Sequence, residues 1–124
     1  YIEQQKQDIF EVRQKRFVIS LETIKTLGFI DIFDFEPMHR RAGIGIFILD
    51  EYRRNGIGKK SVTLIGEYAK KYLNLNCIYA NIAKENISSI NLFESCGYEK
   101  IGLKKEWNFY ENSFHGEYLY QRII

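Results

Sequence analysis

The segment from Ile44 to Lys59, IGIFILDEYRRNGIGK, constrains this 124-residue chain more than any other. The apolar run from Arg41 to Leu49 reads as a strand, and it feeds a basic, glycine-punctuated turn that opens a long helix from Gly56 to about Leu73. A strand entering a helix in this way aims the first free N–H groups, with about half a positive charge of macrodipole, at whatever lies before them. Gly56 and Gly58 carry no Cβ, so an anion can approach the main chain, while Arg53, Arg54 and Lys59 place cations beside it. The segment reads as a cradle for a pyrophosphate.

Spacing separates this turn from other phosphate loops. A Walker loop ends in Gly-Lys-Ser/Thr, and Gly58-Lys59-Lys60 offers no hydroxyl for magnesium. A dinucleotide fingerprint needs a third glycine and an acidic residue about twenty positions on, and neither is present. Arg53 through Gly58 reads instead as Arg-x-x-Gly-x-Gly, which resembles the acetyl-CoA loop of the GNAT superfamily of N-acetyltransferases. A second segment lies at the right distance. Ile78 to Ile82 reads as a strand, and Lys84 to Tyr98 is similar to a second block of that superfamily: Glu85-Asn86, six residues, Leu92-Phe93, three residues, Gly97-Tyr98.

The resemblance implies a mixed α/β fold with a central, mostly antiparallel sheet flanked by helices. It implies acetyl-CoA as acetyl donor and transfer of the acetyl group to an amine, without a covalent enzyme intermediate. Arg53, Arg54, Asn55, Gly56, Ile57, Gly58 and Lys59 are expected to hold the pyrophosphate. The main chain of Ile46, Phe47 and Ile48 is expected to pair with the pantetheine arm, and Asn86 with Ser89 to bond its amides. Gly43 and Gly45 sit two apart in the same strand, so they bare one face of it. That allows close approach of the cofactor, or else marks a bulge or a crowded helix contact.

The segment Gly28 to Phe35, followed by His39 to Ala42, looks like the spermidine/spermine N-acetyltransferases of bacteria and the related acetyltransferases of ribosomal-protein N termini. It implies a small cationic amine as acceptor, a polyamine before a peptide N terminus. Asp31, Asp34 and Glu36 are the candidate carboxylates for such a polycation, with Asp34 and Glu36 on one strand face and Asp34 also a candidate proton relay. Phe93 stands where the superfamily usually has a tyrosine that protonates the departing thiolate. Phenylalanine has no proton to give, so Phe93 marks either a modified catalytic position or plain core, and Tyr98 is the nearby hydroxyl that could stand in. A module that binds acyl-CoA without transferring it is the competing function.

Composition bounds the rest. Eighteen basic and sixteen acidic side chains leave a net charge of +2, which argues for neither nucleic acid nor an anionic membrane as partner. No apolar run approaches the roughly 20 residues that span a bilayer. Cys77 and Cys96 are too few for a disulfide framework or a zinc site, so a reducing cytoplasm is the expected home and no metal is expected. Cys96, with no base near it in sequence, reads as a structural thiol, and His39 and His115 as ordinary polar residues.

The whole chain, 1–124, reads as a single N-acetyltransferase domain lacking the first strand and helix of its family, and it is expected to form a homo-oligomer. Tyr1 to Gln14 reads as a short helix, Arg16 to Ser20 and Leu27 to Phe35 as strands, and Asn86 and Gly97 as the cap and stop of a helix. Tyr98 to Asn108 and Glu117 to Ile123 read as a hairpin around Glu111 to Gly116. Trp107, Tyr110 and Phe114 are read either as the edge of a substrate mouth or as an aromatic face packed on the sheet.

Overall fold

The computed structural model describes residues 2–4, 8–21, 25–53 and 55–124, the first of these groups in backbone only. Seven strands form one sheet in the order β1-β2-β3-β4-β5-β7-β6. The strands are β1 (Ile2–Gln4), β2 (Lys15–Leu21), β3 (Lys25–Glu36), β4 (Arg41–Ile48), β5 (Cys77–Ala83), β6 (Glu99–Tyr110) and β7 (Ser113–Ile123). The helices are α1 (Ile9–Val12), α2 (Ile57–Tyr72) and α3 (Ile87–Ser95). Among the described residues every pairing is antiparallel except that of β4 with β5, which α2 joins as a crossover.

Alternation in the strands builds the core. Ile30 and Ile32 of β3 pair with Ile46 and Ile44 of β4, and Ala42 pairs with Ile78 of β5, so all six share one face. Ile30, Ile32, Ala42 and Ile78 are fully buried there. Helix α2 lies on this face, placing Val62, Ile65 and Ala69 inward at helical spacing, and a methyl on its Gly66 would lie 3.7 Å from Ile78 Cδ1. Burying each such isoleucine contributes about 1.5–3 kcal/mol. No helix among the described residues is long and apolar enough to cross a membrane.

Three expectations change. The N-terminal stretch is not one helix: Ile2–Gln4 pairs with Phe17–Ile19 as an edge strand, and the helix is the single turn Ile9–Val12, capped by Asp8 and stopped by Arg13 at φ 62°. Tyr1 and residues 5–7, also expected in that helix, lie outside the described residues. The hairpin turn is two residues, not six. Glu111 and Asn112 both take positive φ, 51° and 62°, the backbone a type I′ turn requires, and pairing resumes at Tyr110 with Ser113.

The third concerns Gly43 and Gly45. Phe33 pairs with Gly43 across the β3–β4 ladder, and its ring lies over Gly43 and within contact of Gly45. The ring also meets Tyr79 edge-on, with centroids 6.0 Å apart. The bare strand face is therefore filled by an aromatic side chain of the neighbouring strand. A methyl on Gly43 overlaps that ring. Gly43→Ala should lower stability by about 1–3 kcal/mol. The loss should shrink in a Phe33→Leu background, so that the two changes are non-additive in a denaturant double-mutant cycle.

Candidate functional site

Strands β4 and β5 pair only through Arg41–Gly43 and Cys77–Tyr79. Beyond Gly43 the edge of β4 that faces β5 has no strand paired to it among the described residues, although β4 stays paired to β3 as far as Ile48. The first turns of α2 and α3 stand on either side of this opening, with a methyl on Gly58 only 3.3 Å from Leu92 Cδ2. The result is a cleft of about 430 Å³. It is lined by the strand end Ile46–Ile48, by Arg53, Gly56, Gly58 and Lys59, and by Asn86, Ser88, Ser89 and Leu92.

The α2 side is built for an anion. Gly56 takes φ 83°, a left-handed backbone that lets the chain turn directly from the strand into the helix, and the space around its missing Cβ is open. The first intrahelical bond is Lys60 N–H to the Gly56 carbonyl, at 3.1 Å. The N–H groups of Gly58 and Lys59 precede it and have no partner within the helix. A Cβ on Gly58 would crowd Leu92 and narrow the space in front of these donors.

Several expected ligands have other partners. Arg53 donates from Nε to the Ile48 carbonyl at 2.9 Å, pairs through Nη1 with Asp50 at 3.0 Å, and lies over the Phe47 ring at 5.9 Å. It staples the turn to the end of β4 and takes up one of the carbonyls expected to meet the pantetheine. Asn55 accepts from the Ile57 N–H at 3.3 Å, which closes a small turn around the cap residue Gly56. Neither Asn55 nor Ile57 lines this cleft: both face a second one shared with Ile19, Leu27 and Tyr52. Arg54 lies outside the described residues. Lys59 is the cation on the cleft wall that has no ion pair among the described residues.

On the α3 side, Asn86 caps the helix: its Oδ1 accepts from the Ser89 N–H at 3.3 Å and lies 3.2 Å from Ser88 Oγ. Its side-chain NH₂ remains for a ligand, beside the Ser89 hydroxyl. Ser88 and Leu92 are cleft residues that sequence reasoning missed. Helical spacing carried the signal for Leu92 alone, three residues after Ser89 and so on its face. Ile87, the first residue of α3, is 59% exposed, whereas Phe93 two turns on is buried.

The acidic strand is rearranged. Asp31 accepts a bidentate pair from Arg16, at 2.8 and 3.0 Å, and Glu36 pairs with Arg13 at 3.5 Å. The β3–β4 register shifts between Phe33 and Glu36, with Asp34 at φ 47° in the bulge. The extra residue turns Phe35 inward, 1% exposed, so Asp34 and Glu36 do not share a face by simple alternation. Asp34 is exposed and has no ion pair among the described residues. Burial, chiefly, and the charge of Asp34 push the Tyr79 phenol above its ordinary range.

Neither Phe93 nor Tyr98 lines the cleft. Phe93 is 3% exposed and meets the Tyr98 ring edge-on, centroids 4.9 Å apart, so it sits in the core. The Tyr98 hydroxyl is buried without a hydrogen-bond partner among the described residues, and burial pushes its phenol far above the ordinary range despite nearby Arg122. Expected as a stand-in proton donor, it is not among the residues that line the cleft. Cys96 contacts the Lys59 carbonyl with its thiol, at 3.9 Å, as a packing residue between the helices. His39 is exposed in the β3–β4 turn. Trp107 and Phe114, 60% and 61% exposed, do not pack on the sheet.

The family model for the acetyltransferase (GNAT) domain matches residues 1–99. Among curated proteins the chain is 28% identical over 94 residues to the spermidine N(1)-acetyltransferase of Vibrio cholerae, covering 76% of this chain and 54% of that protein. It is 30% identical over 91 residues to the uncharacterized N-acetyltransferase YoaA of Bacillus subtilis, covering 73% of this chain and 51% of that one. The chain thus spans about half the length of the curated relatives it matches. A solved structure of the Vibrio cholerae spermidine N-acetyltransferase with CoA and spermine superposes with a TM-score of 0.87 at 24% identity, over 93% of this chain and 68% of that one.

Because the buried hydroxyl of Tyr98 is unsatisfied, Tyr98→Phe should leave the melting temperature unchanged or raise it, by the equivalent of about 0–2 kcal/mol. Acetyl transfer should be unaffected. A large loss of kcat with an unchanged melting temperature would return Tyr98 to the chemistry.

Proposed function

The chain belongs to the GNAT acetyltransferase family, and from that premise we propose that it carries acetyl from acetyl-CoA to a small cationic amine, a polyamine of the spermidine class. One observation carries this reading: the opening between β4 and β5 exposes a strand edge, two helix N termini and a lysine to one cleft. Acetyl-CoA supplies an acetyl group activated as a thioester, whose thiol, near pKa 8.5, leaves as a tolerable thiolate.

The residues present fit such a ligand. Free N–H groups of Gly58 and Lys59, the helix dipole and the Lys59 ammonium favour a pyrophosphate. The unpaired edge of β4 offers main-chain groups to an amide-bearing arm, as an added strand would. The Asn86 amide and the Ser88 and Ser89 hydroxyls line the opposite wall.

The acceptor must lose a proton before its nitrogen attacks the thioester carbonyl. For an amine near pKa 10.4, holding the neutral form at pH 7 costs about 4.6 kcal/mol. A carboxylate that attracts the cation and takes its proton onward to water lowers that cost. Asp34 fits this part best, since Arg16 and Arg13 engage Asp31 and Glu36. The named substrate of the Vibrio cholerae relative supports a polyamine over other amines.

A second reading, an acyl-CoA-binding module without transfer, is favoured by the lack of a hydroxyl at Phe93. Thiol release from acetyl-CoA with spermidine decides between them, since calorimetric binding without release selects the second.

In the same assay Gly56→Val should raise the KM for acetyl-CoA on the order of tenfold, because a β-branched residue in a left-handed backbone costs about 1–2 kcal/mol and its methyls obstruct the cradle. Unchanged acetyl-CoA affinity would remove the turn from the site. Asp34→Asn should raise the KM for spermidine by about three- to fivefold, the size of one exposed charge pair, and leave that for acetyl-CoA alone. Equal turnover by both proteins, or a preference for a peptide α-amine, counts against the polyamine.

A further inference from the structure

We propose that His115, together with Tyr110, is a positioning residue for the cleft: the β6–β7 hairpin grips Glu85 and thereby holds the first turn of α3 in place. The inference rests on the acetyl-CoA reading only for what the cleft binds.

The hairpin outruns its neighbour. β5 ends at Ala83 opposite Glu117, whereas β6 and β7 stay paired as far as Tyr110 and Ser113. Among the described residues no other strand pairs with that overhang, yet it is tied to the loop between β5 and α3 at three points. The Lys84 N–H donates to the Gly116 carbonyl at 3.1 Å. His115 Nδ1 lies 3.2 Å from Glu85 Oε1, and the Tyr110 hydroxyl donates to Glu85 Oε2 at 3.1 Å.

Each oxygen of the carboxylate therefore has its own partner on the hairpin. The two partners support each other, with rings stacked at 3.8 Å and 9°. His115 Nε2 lies 3.0 Å from both the Tyr110 carbonyl and Ser113 Oγ, which fixes the imidazole at its far end. The bond to His115, above all, keeps the Glu85 carboxyl below the usual carboxylate range.

A lone exposed His–Glu pair contributes little. What matters is where Glu85 stands. The next residue is Asn86, whose side chain caps α3 by accepting from Ser89 N–H, and Asn86, Ser88 and Ser89 form one wall of the cleft. An Asn cap holds its helix only when its own backbone is fixed: the Asn86 N–H donates to the Ala83 carbonyl at 2.9 Å, Lys84 ties the loop to the hairpin through the main chain, and Glu85 adds the grip of the hairpin's side chains. Loss of the grip leaves the cap free to fray, as unpinned helix ends do.

The experiment uses the full chain in two readouts. Amide hydrogen exchange is measured without ligand in wild type, His115→Ala, Glu85→Ala, the double variant and His115→Gln, which keeps a side-chain donor. Exchange at Ser89 and Ile90, whose N–H groups are bonded to Asn86, should quicken about tenfold in His115→Ala, the equivalent of one hydrogen bond, while Val62 and Ile65 in α2 stay unchanged. His115→Gln should restore much of the protection. Calorimetry with acetyl-CoA should give a Kd weakened by about three- to tenfold in both single variants and no further in the double, as residues acting in series require.

Unchanged exchange at Ser89 and Ile90 in folded His115→Ala overturns the proposal, as does equal loss of protection in α2, which would mark a general structural role. Wild-type protein that gives no heat with acetyl-CoA overturns the reading of the cleft instead, and the exchange result then decides this inference alone.

Discussion

A parallel pair of strands that is hydrogen-bonded for three residues and then parts is the constraint on which the rest depends. Had β4 and β5 stayed paired to their ends, the edge from Ile44 to Ile48 would be closed by a neighbour and no cleft would lie between the helices. The separation is held open from both sides. β3 keeps its hold on β4 as far as Ile48, and β7 keeps its hold on β5 as far as Ala83, so each strand satisfies one edge elsewhere. Unpaired main-chain groups in such a gap are costly unless something polar reaches them. An elongated ligand bearing amides answers that need.

Charge follows the same economy. Of the groups suited to anions or cations, Arg53, Asp31 and Glu36 are engaged within the fold, with Asp50, Arg16 and Arg13 respectively. These pairs are half-exposed, so their worth is small and their role is to fix geometry. Lys59 and Asp34 are left without ion pairs among the described residues, one on the α2 wall of the cleft and the other in the bulge of β3. A net charge of +2 therefore conceals a local separation of sign, with the anion cradle on one element and the exposed carboxylate on another.

Aromatic packing accounts for several residues that would otherwise look functional. Phe33 fills the face that Gly43 leaves bare, Phe93 and Tyr98 interlock beneath α3, and Tyr110 stacks on His115 where the hairpin meets the β5–α3 loop. In each case a ring takes space that polar chemistry would need. The Tyr98 hydroxyl pays for this arrangement by going without a partner.

The sequence by itself determined the elements whose signals are local. Strict alternation in Phe29 to Ile32, the helical stripe Val62, Ile65 and Ala69, the Asn86 cap and the Gly97 stop all act over a few residues, where backbone geometry and burial leave one solution. Gly56 and Asn86 were legible as cleft residues for the same reason, because glycine at a left-handed position and a side-chain cap are properties of their own segments.

Only the tertiary structure decided what depends on partners far along the chain. Arg16 against Asp31, Arg13 against Glu36, Phe33 over Gly43 and Gly58 against Leu92 are contacts between separate elements, and no periodicity encodes them. The bulge at Asp34 reverses which residues face inward after it, so alternation read beyond Phe33 fails by one place. Whether an ionisable side chain is available or engaged is set by neighbours that the sheet brings together.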